Sequence, residues 1–269
     1  VSVIPANRVE DRVYSHQGLT YGGFVLDKKI KLGEVIEIAK TVVKFLFENK
    51  IYKFQLKLIP SIYNDYFSEE IEYCMFLMQS KLIRRDCLSV IDLSKGIVFS
   101  KDRKSGIAKG EKNNLKVLEE DDVTIFWNKI LIPNLQKKHN AFPTHTLEEI
   151  KRLKVQFPDS IRQFNVYKND QIVAGTLIFE TKTTAHSQYI SGNEDKNKLG
   201  SLDILHHHLI KNIFVKKIFF DLGTSHEENG SKINEGLLYW KESFGAKTTV
   251  QNFYEVETSN YKLLENVLI

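Results

Sequence analysis

Residues 192–201, Gly192-Asn193-Glu194-Asp195-Lys196-Asn197-Lys198-Leu199-Gly200-Ser201, read as a glycine-containing loop that leaves a strand and enters a helix. Such a loop is a phosphate cradle on physical grounds. The first amides of a helix have no partner within it, the helix dipole is positive there, and glycine lets an anion reach the backbone. Lys196 and Lys198 add charge. The loop has neither the GxxxxGKS/T spacing of a nucleotide-triphosphate site nor GxGxxG with a distant acid, which disfavours kinase, NTPase and dinucleotide chemistry. Asp221 stands in the apolar run Phe219-Phe220-Asp221-Leu222, and a carboxylate on a buried strand has to be paired or hydrogen-bonded. In the run His206-His207-His208 helical neighbours point about 100° apart, so the three rings do not converge and no metal is expected. Cys74 and Cys87 lack a CxxC or metal spacing, and no GxSxG is present, so a covalent nucleophile is not expected.

The elements that must position these residues repeat within the chain. In the first half, Leu19-Thr20-Tyr21-Gly22-Gly23-Phe24-Val25-Leu26 reads as a strand. After Lys31-Leu32-Gly33 the positions Leu32, Val35, Ile36, Ala39, Val42, Val43 and Leu46 mark one apolar helix face. Lys53-Phe54-Gln55-Leu56-Lys57-Leu58 alternates as a half-buried strand, and Ile71, Met75, Met78 and Leu82 form a second helical stripe. The second half repeats the order: a strand over 186–192, Lys198-Leu199-Gly200, a helix through Leu202, Leu205, Leu209 and Ile213, a strand over 217–222, and a helix with Ile233, Leu237, Trp240 and Phe244. His16 stands six residues before Gly22, as His186 stands six before Gly192. Shared spacing and the shared Lys-Leu-Gly point to duplication.

Upstream the halves differ. The second copy has a helix opened by the capping-box pair Thr146 and Glu149, then a hairpin through Lys168-Asn169-Asp170. The first copy has too few residues for these, so its N-terminal part is expected to be missing or a remnant. Lysines from Lys101 to Lys116, with Gly106 and Gly110 between them and Glu119-Glu120-Asp121-Asp122 after, read as a solvated connector. The expected division is 1–100, a connector 101–122, and 123–269. A net charge of +4, with 42% hydrophobic and 27% charged residues, describes a folded chain and excludes disorder and a strongly basic nucleic-acid binder. No run is long and apolar enough for a membrane span, no leader is visible, and a cytoplasmic location is expected.

Phe219-Phe220-Asp221-Leu222-Gly223-Thr224-Ser225, Glu227, Gly230, Asn234-Glu235-Gly236-Leu237 and Lys241-Glu242-Ser243-Phe244-Gly245-Ala246 resemble the C-terminal half of GNAT-type acyltransferases, in particular the duplicated branch with the Fem-type peptidyltransferases. Val173-Ala174-Gly175-Thr176-Leu177 fits the preceding sheet. Ser15-His16-Gln17-Gly18 and Lys57-Leu58-Ile59-Pro60-Ser61-Ile62-Tyr63 resemble the first copy of the same relatives. The resemblance implies an α/β (α+β) fold of tandem GNAT-like halves, each a mixed sheet flanked by helices, the first half N-terminally incomplete.

It also implies an acyl-CoA donor lying between two splayed strands, its pantetheine arm on the strand ending at Ser191 and Gly192 and its diphosphate on the backbone of Leu199, Gly200, Ser201 and Leu202. Asn234 caps or orients the last helix and contacts the ligand in this reading. His186, Asp221 and Glu227 are the catalytic candidates for removing a proton from the attacking amine, with His226 and His145 behind them. His16, Tyr21, Lys57, Tyr63, His145 and Lys241 are expected to bind the acceptor. The general-acid tyrosine of many such enzymes falls at Trp240, and Tyr239 points about 100° away on the helix. The expected function is transfer of an acyl group from acyl-CoA to an amine of a sugar, peptide or nucleotide-sugar. The alternatives are a Fem-type peptidyltransferase fed by aminoacyl-tRNA, which the modest charge disfavours, and a non-catalytic ligand-binding relative. No DNA partner and no metal are expected.

Overall fold

The computed structural model describes residues 2–15, 17–18 and 20–268, the side chain of His139 apart. His16 therefore lies outside the described residues. The first elements are β1 (Ser2–Val3), β2 (Asn7–Val9), β3 (Arg12–Tyr14), β4 (Val25–Leu26), α1 (Leu32–Glu48), β5 (Lys53–Lys57), α2 (Glu70–Leu77) and β6 (Lys81–Asp92). Then come α3 (Lys101–Lys112), β7 (Lys116–Glu120), α4 (Thr124–Phe126), α5 (Ile132–His139), α6 (Leu147–Gln156), β8 (Ile161–Lys168), β9 (Gln171–Glu180) and β10 (Thr184–Gly192). The chain continues through α7 (Lys196–Leu199), α8 (Ser201–His208), β11 (Phe219–Thr224), β12 (His226–Glu227), β13 (Lys232–Ile233), α9 (Glu235–Glu242) and β14 (Lys247–Glu257).

Two compact units form. Unit 1 holds Val1–Cys87, His226–Lys232 and Thr249–Ile269, and unit 2 holds Leu88–Ser225 and Ile233–Thr248. These units are drawn differently from the expected division, because the chain re-enters unit 1 twice after leaving it.

In unit 1, β2 pairs antiparallel with β3, β3 parallel with β5, and β5 antiparallel with β14. The alternation of β5 sends Phe54 and Leu56 into a core shared with Val35, Ile36, Ala39 and Val43 of α1, Ile71, Cys74 and Met75 of α2, and Val256. Lys53, Gln55 and Lys57 face the other way, as a two-residue strand period requires. There Glu255 of β14 accepts from Lys53 and Gln55 at 2.8 and 2.9 Å. The helix start is fixed by Glu34, whose carboxylate accepts from the Lys31 amide at 2.9 Å.

In unit 2, residues 88–92 of β6 pair antiparallel with β11, β11 parallel with β10, and β10, β9, β8 and β7 continue antiparallel. One face of this mixed sheet, through Phe164, Ile178 and Phe220, packs on α3, α8 and α9 with Phe99, Ile107, Leu205, Leu209 and Phe244. The other, through Ile161 and Leu177, packs on Phe126, Trp127, Ile130 and Ile150 of the helices before β8. The capping box forms as its spacing predicts, Thr146 Oγ1 accepting from the Glu149 amide at 3.2 Å and Glu149 from the Thr146 amide at 2.7 Å. Asn169 and Asp170 make the hairpin turn with φ of 48° and 61°, the left-handed pair that a two-residue hairpin demands.

Four expectations give way. Of the glycine strand, Leu19 is outside the described residues, residues 20–24 form no strand, and Val25–Leu26 alone pairs, with β1. Gly23 has φ +90° and sits against the Lys57 carbonyl oxygen, so this stretch is a turn packed on β5. Leu82 belongs to β6, because α2 stops at Leu77. Ile233 belongs to β13, since Asn234 caps α9 and sets its start. Residues 101–122 are a helix and a strand of unit 2 instead of a connector. Gly106 and Gly110 let α3 lie on α8: a Cβ on Gly110 would come within 2.7 Å of Ile204 Cβ, and one on Gly106 would overlap the Asp203 carboxylate. Among the described residues no helix is long and apolar enough to cross a membrane.

Candidate functional site

β10 and β11 pair over three positions, Thr184↔Phe219, Ala185↔Phe220 and His186↔Asp221, and then part. β10 runs on to Gly192, held on its other edge by β9 through Gly192↔Ala174. Two local features cause the parting. The register with β9 shifts between Ser187 and Tyr189, so Gln188 is an extra residue that bends β10. In β11, Gly223 adopts φ +70°, and the register with β6 shifts between Asp221 and Thr224. Past His186, then, the ladder with β11 ends while β10 runs on, and an extended ligand can pair along this side of β10 from Tyr189 to Gly192.

The last pair before the fork is also its chemical centre. His186 Nδ1 lies 3.0 Å from Asp221 Oδ2, and Asp221 Oδ1 accepts from the Gly223 amide at 2.7 Å. Asp221 is fully buried and His186 is 9% exposed, so the carboxylate fixes the imidazole at the rim. This is the pairing that a carboxylate on a buried strand needs. Lys241 of α9 donates to the carbonyls of Gly223 and Thr224 at 3.1 and 2.6 Å. It is 3% exposed, so the substrate contact expected of Lys241 is replaced by a hold on the end of β11. Burial pushes its ammonium down to about 8, against the attraction of Asp221.

On the His186 face of β10, Tyr189 meets His145: His145 Nδ1 and the tyrosine hydroxyl are 2.7 Å apart, and the His145 amide donates to that hydroxyl at 3.2 Å. Burial lowers the pKa of His145. Trp127 lies edge-on to Tyr189 with ring centroids 5.0 Å apart. Tyr189 and Gln188 were not singled out from the sequence. A bulge has no residue signature of its own, and a tyrosine in a strand is ordinary.

Beyond Gly192 the expected phosphate cradle is altered. The Leu199 and Gly200 amides donate to Asp195 and Lys196 carbonyls at 2.8 and 2.9 Å, so neither is left for an anion. Ser201 is fully buried and Leu202 partly so, because α3 crosses the first turn of α8 and Arg103 pairs with Asp203. Ser191, expected beside the pantetheine arm, is buried, and its hydroxyl accepts from Asn134 at 3.0 Å. Gly192 needs its lack of a side chain, since a Cβ would meet Lys196 Cβ at 2.9 Å. Close by, Lys196 is pushed down to about 8 by burial and by the neighbouring Lys138, so two ammonium groups face one another at the end of β10. Lys138 escaped the sequence reading because its helix lies far from the loop in the chain.

Asn234 caps α9, its side chain accepting from the Leu237 amide at 3.0 Å. Trp240 packs in the core with its indole donating to Asp203 at 2.8 Å, and Tyr239 points outward to Asp102 at 2.5 Å. Glu227 is exposed in β12, in unit 1. Tyr21 and Tyr63, also in unit 1, meet edge to face with ring centroids 4.8 Å apart, and Lys57 donates to the Thr20 carbonyl at 3.0 Å beside them. The three histidines of α8 go three ways, His206 into the core, His207 against Phe99, and His208 to Asn212.

Residues 109–233 match the family described as the acetyltransferase (GNAT) domain. No curated protein matches the chain in sequence. Among solved structures, the C-terminal domain of a protein assigned as a lysylphosphatidylglycerol synthetase from Agrobacterium fabrum is similar at 12% identity, over 98% of this chain and 84% of that chain, with a TM-score of 0.67. FemX is similar at 10% identity over 92% of this chain and 84% of that one, with a TM-score of 0.64. A tandem GNAT protein from the clavulanic acid biosynthesis pathway is similar at 9% identity over 92% and 75%, with a TM-score of 0.50. At these identities the likeness is one of fold. Residues 109–233 thus match the GNAT acetyltransferase family, and they lie within a mixed α/β fold similar to those of FemX and of a tandem GNAT protein.

Proposed function

We infer that unit 2 transfers an acyl group from acyl-CoA to an amine of a sugar, peptide or nucleotide-sugar, by direct attack at the fork between β10 and β11. The observation that carries this reading is the end of the β10–β11 ladder at His186↔Asp221, with β10 continuing beside β9 to Gly192. A thioester carrier with amide groups in its arm suits that side of β10. The amine nitrogen bonds to the acyl carbon, the carbon–sulfur bond breaks, and the thiolate leaves. His186, oriented by Asp221, takes the proton that the amine gives up. Lys241 holds the β11 side of the opening in place. The diphosphate is gripped by Lys138 and Lys196 in this reading, since the Leu199 and Gly200 amides are engaged. Both cysteines are unbridged, in keeping with a reaction placed in the cytoplasm.

The crossing of α3 over α8 favours a second reading, a carrier that does not thread its phosphates along the helix amides, as an aminoacyl-tRNA would not. Calorimetric titration of the full chain separates the two. Saturable binding of acetyl-CoA supports the first. Binding of charged tRNA without any of coenzyme A supports the second and overturns the first. Binding of neither leaves a ligand-binding relative without transfer activity.

A further inference from the structure

In unit 1, Lys57 of β5 stands opposite Phe253 of β14 in the antiparallel register, so the two side chains share the polar face of that sheet. The Lys57 ammonium lies 5.7 Å from the Phe253 ring centroid, and the guanidinium of Arg84 lies 4.7 Å from the same centroid. Two cations thus converge on one aromatic ring. The carboxylate that acts on both cations is Asp86, and it is engaged: Arg84 donates to both of its oxygens, each at 2.8 Å, and His226 Nδ1 lies 3.8 Å from Oδ1. Lys57 is left with the Thr20 carbonyl at 3.0 Å as its acceptor among the described residues, although an ammonium has three protons to donate. Burial pulls its pKa down, opposed by Asp86 and helped by Arg84. Tyr21 follows Thr20 in the chain and lies edge-on to Tyr63, which adds apolar ring surface beside the cations.

A largely buried ammonium with unused donors, next to a guanidinium that has spent its fork on the local carboxylate, leaves one positive charge in excess at a site walled by aromatic rings. We propose that this end of unit 1 binds an oxyanion, a carboxylate or a phosphate, carried on a flat apolar body that lies against Phe253 and the two tyrosines. Lys57 donates to the oxyanion, Arg84 supports it electrostatically, and Asp86 keeps Arg84 from turning away.

The site is tested by binding alone, with no acyl transfer in the readout. The full chain is titrated with phenyl phosphate, benzoate and benzyl alcohol, following melting temperature and heat. At least one of the two anions should bind saturably and raise the melting temperature, and the neutral alcohol should not. Which anion binds more tightly tells phosphate from carboxylate. Lys57→Met should weaken that binding at least tenfold, while Lys95→Met, at a lysine exposed in unit 2, should leave it unchanged. Arg84→Gln should weaken it as well, and serves if Lys57→Met does not fold. Equal binding by wild type and both site variants, binding of benzyl alcohol as tight as that of the anions, or no binding of either anion overturns the proposal.

Discussion

Gly200, at the start of α8, lies so close to Gly106 of α3 that a methyl group on Gly200 would overlap the Gly106 carbonyl oxygen. The contact seals the end of α8 that an anion would otherwise approach, and Gly200 also holds φ +71°. Gly200→Ala should therefore destabilise unit 2 by about 2–4 kcal/mol, from left-handed strain plus overpacking. Urea unfolding would read it as a lower midpoint, and an unchanged midpoint would show that the helices are not packed this way.

Asp221→Asn keeps the shape of the side chain but removes the charge that orients His186, and His186→Ala removes the ring. Each should lower turnover at least tenfold with the melting temperature of Asp221→Asn within a few degrees of wild type. Turnover near wild type in both variants would take the pair out of the reaction.

Much of this centre was legible in the chain. Asp221 drew attention because an acid in an apolar strand has to be explained, and His186 because it opened a repeated strand. The helix face from Val35 to Leu46 and the hairpin turn at Asn169-Asp170 followed from spacing and turn chemistry alone. Glycine is ambiguous in a sequence because it serves opposite ends. Glycines among lysines describe a solvated loop as well as a helix that packs closely on another, and Gly106 and Gly110 do the second. Gly22 and Gly23 make a turn where a strand was expected. The bulge at Gln188 and the nearness of Lys138 to Lys196 arise from tertiary placement, which spacing along the chain does not encode.

His206 is wholly buried among Trp240, Phe220 and Phe244, and burial pushes its pKa down to about 4 from 6.5. The unfolded chain binds the proton first, so stability contributed by the neutral ring is full above about pH 6.5 and is lost as the pH falls to about 4, by up to roughly 3 kcal/mol. His206→Phe should flatten that part of the acid limb. Denaturation curves between pH 7 and pH 4 that superimpose for the two proteins would contradict it.

Lys196→Met should weaken acetyl-CoA binding by about tenfold, the loss of one charged contact to a phosphate. The effect should shrink in high salt, as screening predicts. Equal affinity at low salt would remove Lys196 from the carrier's path.

Tyr239 points away from the fork to Asp102. Tyr239→Phe should leave turnover within about twofold of wild type at every pH, since the hydroxyl it removes is exposed and bonded to Asp102. A large drop in turnover would return this tyrosine to the role of acid.

Gln55 of β5 reaches Glu255 of β14 across 200 residues of chain. A ribosome adding roughly 5–20 residues per second spends about 10–40 s between releasing the two strands. Throughout that interval the first-made layer presents a raw flank to chaperones and to other nascent chains, and only the much later arrival of β14 closes it.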